Sequence, residues 1–157
     1  MPPGQQLLSL LTRETACLQQ LLKALEHEFK SLTSADISAI ELAIKDKNQA
    51  LANQAEATLS RQRFVATTSA EDSDEGLRQL IASYENHSEL TQTYSELTSL
   101  ARQCRNSNRT NGRLISQKQQ QTQNALNIIR QADNIPSTYS DQGGTITTPA
   151  SRTLGKA

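Results

Sequence analysis

From Leu97 to Ala132 a mainly apolar stripe, interrupted by a few polar residues, recurs at alternating steps of four and three: Leu97, Ala101, Cys104, Asn108, Asn111, Ile115, Lys118, Thr122, Ala125, Ile129 and Ala132. A phase held over about five heptads means one long helix laid along a seam, because each heptad returns the same face to its neighbour. The stretch NSNRTNGRLISQ (residues 106–117) lies inside this run, although Asn-Gly pairs ordinarily mark turns. The phase is the same on both sides of Gly112, and a chain broken there would have no reason to keep it. Glycine in a helix interior costs about 1 kcal/mol against alanine, which continuous flanks can absorb. An unbroken helix is expected, with Asn108 and Asn111 turned toward the seam and Gly112 allowing a neighbouring backbone to come close. An amide in a seam penalises wrong registers, since one left without partners costs about 1–3 kcal/mol. Asn108, Asn111 and Gly112 are therefore read as a packing signature.

Earlier in the chain Leu7, Leu11, Thr15, Leu18, Leu22, Leu25 and Phe29 give a first amphipathic helix. Ile37, Ile40, Ile44, Lys47, Leu51, Ala55 and Leu59 give a second, with the Lys47 stem along the seam and its charge in water. Thr33 and Asp36 form a capping-box variant between them. The polar run from Ala66 to Glu75 reads as a loop whose carboxylates favour the start of a short helix carrying Leu77, Leu80, Ile81 and Tyr84. The expected fold is all-α. It is an elongated antiparallel bundle of three long helices plus a short one, over residues 5–30, 36–65, 74–85 and 88–133. Hydrophobic residues at 35% and aromatics at 3% suit such thin packing. Residues 134–157 are rich in Gly, Pro, Ser and Thr, cannot offset their ordering entropy and are expected to form a flexible tail after a bundle over residues 1–133.

Few chemistries fit this sequence. Two cysteines, Cys17 and Cys104, fall on apolar helix positions without metal-site spacing, and read as buried free thiols. His87 lacks the carboxylate and histidine spacing of a bundle metal centre. No phosphate-cradling loop or nucleophile–base arrangement appears, so no enzyme, metal or cofactor is expected. His27 and Lys30 echo the His-x-x-Lys of phosphotransfer bundles, with Ser31 where glycine is usual. Arg102, Arg105, Arg109 and Arg113 share a narrow arc beside the seam in a segment without acids, a flank for glutamates or for an acidic partner. Zero net charge and few aromatics argue against nucleic acid. The N-terminus lacks a basic signal-peptide region, and no apolar run approaches the ~18 residues of a membrane span. A cytosolic protein without stable membrane insertion is expected. Leu114 and Ile128 lie off the main stripe, and with Ile115, Leu126 and Ile129 widen its apolar surface. The short helix could cap that surface, or it could receive an amphipathic helix from a partner.

The run N-x-x-N-G-R-L at Asn108–Leu114, the Gln-rich helix ending in LNIIR and the Tyr-containing, Gly-rich tail together resemble the FlgN family of flagellar export chaperones. Lys47 with Leu51, and Arg61–Phe64 (RQRF), match in helix two; Ser140 departs from the family's usual Tyr-Gly pair in the tail. The resemblance implies a non-enzymatic cytosolic chaperone. It would bind the C-terminal helical regions of hook–filament junction (hook-associated) proteins, prevent early assembly and deliver them to the type III export gate. On that reading Leu114, Leu126, Ile128 and Ile129 meet the client. Tyr139 aligns with the family's gate-docking tyrosine.

Overall fold

The structure, a computed structural model, describes residues 1–69, 71 and 73–134. Its helices are α1 (Pro3–Ser34), α2 (Ile37–Thr68), α3 (Asp74–Ser83) and α4 (His87–Asp133). The chain divides into two compact units, Met1–Ile115 and Ser116–Ala157. The expected tail, with Tyr139, lies outside the described residues.

Local chemistry sets the helix ends. Pro3 opens α1 at the position where a missing N–H is harmless. Ala35 closes it in the left-handed region at φ 58°, ψ 19°, a conformation that normally favours glycine. Asp36 caps α2 by accepting from the Ala39 N–H at 3.3 Å, while Thr33 instead donates to Lys30 O within α1. Ser73 caps α3 through the Gly76 N–H at 3.1 Å, and Asp74 and Glu75 sit in its first turn. A side chain at Gly76 would collide with the Glu71 carbonyl. Across Asn111-Gly112 α4 is continuous.

In the first unit α1 is covered from two sides. One heptad series, Gly4, Leu11, Leu18, Leu25 and Leu32, is buried; so is a second, Leu7, Glu14, Leu21 and Glu28. The first series meets α4. Cys104 Sγ approaches Leu18 O at 3.4 Å and Asn111 Nδ2 donates to Leu25 O at 2.9 Å, each pair 86 residues apart. A constant offset means that α1 and α4 run parallel, and the buried residues of α4 are the matching heptad series Leu90, Leu97, Cys104 and Asn111. The second series meets α2, which runs antiparallel: Glu14 pairs with Arg61 and Glu28 with Lys47. Leu77 and Ile81 of α3 join the same core beside Leu7, Leu11, Val65 and Leu90.

Three sequence expectations change here. Leu22 is only half-buried and Phe29 is exposed, whereas Leu21, Leu32, Glu14 and Glu28 are buried. A single stripe drawn through the leucines of α1 missed the second series. In α2 the buried face is Ala43, Ala50, Ala57 and Val65, while Ile37, Ile44, Leu51 and Leu59 are exposed. Alanines let α2 approach α1 closely enough for Lys47 and Arg61 to reach the buried carboxylates. Lys47 accordingly does not carry its charge to water: its side chain is 15% exposed and pairs with fully buried Glu28 at 2.6 Å.

Candidate functional site

Among the sequence-singled residues, Asn111 has the most defined surroundings. Its Nδ2 donates both to Leu25 O and, at 2.8 Å, to Glu28 Oε1. The other oxygen of Glu28 takes the Lys47 ammonium. One carboxylate thus joins α1, α2 and α4 at a single node. Two heptads away Glu14 takes Arg61 Nε at 2.6 Å and Thr58 Oγ1 at 2.7 Å. Carboxylates this deep are stable only when paired and hydrogen-bonded, so the two nodes fix the α1–α2 register. A slip of one heptad would bring Glu14 opposite Gln54 and leave a buried charge without its cation. The sequence signal was available in the 14-residue spacing of the glutamates, matched by Lys47 and Arg61.

Asn108 differs from expectation. It is exposed, on the rim of a hollow with Ala101 and Arg105. The reason is that α4 contacts α1 through one heptad series, so the intervening series through residues 101 and 108 stays at the edge. Gly112 also differs: it is exposed, and an added Cβ would meet nothing within 4 Å, so no backbone approaches it.

The apolar widening of α4 is placed as follows. In the first unit Leu114 and Ile115 are half-buried. In the second unit Leu126, Ile128 and Ile129 are 43%, 66% and 56% exposed. Leu77 and Ile81 of α3 are buried in the first-unit core. Around Leu126 and Ile129 the helix carries amides, several in i,i+4 pairs such as Gln123–Asn127. Such a surface offers apolar area with neutral hydrogen-bonding edges, and no group poised for proton transfer or nucleophilic attack. His27 and Lys30 are exposed on α1, and His87 is exposed at the start of α4. Among the described residues no cluster of ligands for a metal ion occurs, and no helix is long and apolar enough to cross a membrane. Cys104 is buried, and burial pushes its thiol above the ordinary range; Cys17 is half-buried. Arg102, Arg105, Arg109 and Arg113 are all exposed and make no ion pair among the described residues.

The family model described as "FlgN protein" matches residues 1–147. The chain belongs to the FlgN family. A crystal structure of a flagella synthesis protein FlgN from Pseudomonas aeruginosa shares the fold, with a TM-score of 0.66 at 23% identity, over 75% of this chain and 92% of that one. No curated protein matches the chain. Membership in the FlgN family gives the chain a flagellar role, in a family that is non-enzymatic.

Proposed function

We propose that this FlgN-family chain is a cytoplasmic export chaperone for hook–filament junction proteins. It would hold their C-terminal helical regions against early assembly and carry them to the type III export gate. The observation that carries this reading is the exposure of Leu126, Ile128 and Ile129 on a helix otherwise edged by amides. Large apolar side chains grouped on one helix and left in water mark a surface that a partner covers. An amphipathic client helix laid on them hides its own apolar stripe, which is the stripe that would drive self-association. Leu114, half-buried in the first unit, offers less area, so the assignment rests mainly on the other three.

Release requires no hydrolysis: a gate that competes for the same apolar surface can take over the client. Tyr139 is assigned to gate docking, because a lone aromatic in a polar segment buries much area at low entropic cost. The test is calorimetric titration of the full chain with C-terminal fragments of junction proteins. Saturable one-site binding supports the function, and absence of binding to every such fragment refutes it.

A further inference from the structure

A second surface lies wholly in the first unit and uses residues other than those assigned to clients. Leu18, Leu21 and Leu25 of α1 floor a hollow of ≈ 260 Å³, with Leu51 and Gln54 of α2 on one side and Ala101, Arg105 and Asn108 of α4 on the other. Leu51 belongs to the apolar stripe of α2 that packing on α1 leaves outside. Ile37, Ile44, Leu51 and Leu59 recur at heptad-like spacing and are 73%, 37%, 41% and 50% exposed. Leu51 is shared by the stripe and the hollow, so the channel they make is joined at that residue, and on the α4 side it is walled by a cationic edge. Arg105 lines the hollow, and Arg102 and Arg109 stand one turn to either side on the same arc. Residues 97–132 of α4 contain no acid to neutralise them.

We propose that this channel docks a partner's amphipathic helix whose apolar stripe lies between α2 and α4 and whose α4-facing edge carries carboxylates. The charge pattern chooses the occupant. An apolar strip alone would accept any amphipathic helix, but three guanidinium groups along one wall, without an ion pair among the described residues, favour carboxylates there and disfavour lysines. The leucine floor argues for a helix over nucleic acid, which needs stacking aromatics or phosphate contacts and gains nothing from Leu18, Leu21 and Leu25. Within the α2 stripe the spacing places one carboxylate, Glu41, near the end away from Arg105.

The probes are two fluorescein-labelled synthetic amphipathic peptides with the same leucine stripe, one edged with glutamate and one with lysine, plus a labelled single-stranded oligonucleotide. Fluorescence anisotropy with the full chain is expected to rank the glutamate peptide at least about tenfold tighter than the lysine peptide. Arg105→Glu should reverse that ranking. Leu51→Asp should weaken both peptides about tenfold, while Leu42→Asp, an exposed position off this stripe, should weaken neither. Circular dichroism confirms that each variant keeps its helicity; Leu51 and Arg105 are exposed enough for both to fold. Equal affinity for the two peptides, insensitivity to Leu51→Asp, or oligonucleotide binding that depends on the arginines but not on Leu51 would each overturn the proposal.

Discussion

Asn111 and Glu28 meet at 2.8 Å in the interior of the first unit, an amide of α4 donating to a carboxylate of α1 that also holds Lys47 of α2. The contact explains why a polar residue occupies a heptad position that Leu90 and Leu97 fill with hydrocarbon. Its two donated hydrogen bonds satisfy Leu25 O and Glu28 in one geometry only. A neighbouring register would bury the same groups unpaired.

Asn111→Ala removes both hydrogen bonds while leaving the carboxylate buried. A loss of about 2–3 kcal/mol in urea unfolding is expected, the cost of leaving charged buried groups short of partners. A change below about 0.5 kcal/mol, the size typical of ordinary surface substitutions, would show that the node contributes little.

Lys47→Met leaves Glu28 buried without its cation and should cost about 3–5 kcal/mol. Replacing both residues, Glu28→Met with Lys47→Met, should recover most of that loss, since the desolvation cost goes with the charges. The recovered protein should lose register specificity, read as broadened amide resonances along α2. Additive losses in the double variant would contradict the pairing.

Much of the helix plan was legible because periodicity survives any single residue, and α4 keeps its phase through Gly112. Burial of Asn111 followed from that phase. Glu14 and Glu28 were hidden because a carboxylate looks like surface until its cation is found on another helix, 47 residues away for Glu14 and Arg61 and 19 for Glu28 and Lys47. The α2 face was misread for the converse reason. Ile44 and Leu51 look like core residues, but small alanines and two ion pairs decide which side of α2 approaches α1. Asn108 shared the phase of Asn111 yet lies on the series that α1 does not cover. The exposed trio Leu126, Ile128 and Ile129 was legible as an apolar widening, whereas periodicity alone does not say whether such a widening is covered.

Gly112→Ala should stabilise the protein by about 1 kcal/mol, because the position is helical, exposed and open to a Cβ. Thermal unfolding of the variant checks this. A lower melting temperature would mean that something does approach this face.

Cys104 contributes a pH dependence of definite sign. Burial raises its thiol above the ordinary value of 9.0 in the folded state, whereas the unfolded chain ionises near that value. The stabilisation is fully present below pH 9.0 and is lost as pH rises through 9.0 toward the folded value. Tyr84 adds a loss of the same sign starting at its ordinary value of 10.0. Cys104→Ala should therefore flatten, without abolishing, the alkaline fall in stability measured by urea unfolding between mildly and strongly alkaline buffer. An unchanged slope would remove Cys104 from the account.

The most direct measurement of the central claim is calorimetric binding of a junction-protein C-terminal fragment to Leu126→Asp/Ile129→Asp beside the parent chain. Both side chains are exposed, so the variant should keep the parent's helicity and melting temperature while losing measurable binding. Undiminished affinity in a folded double variant would contradict the assignment of client binding to this face of α4.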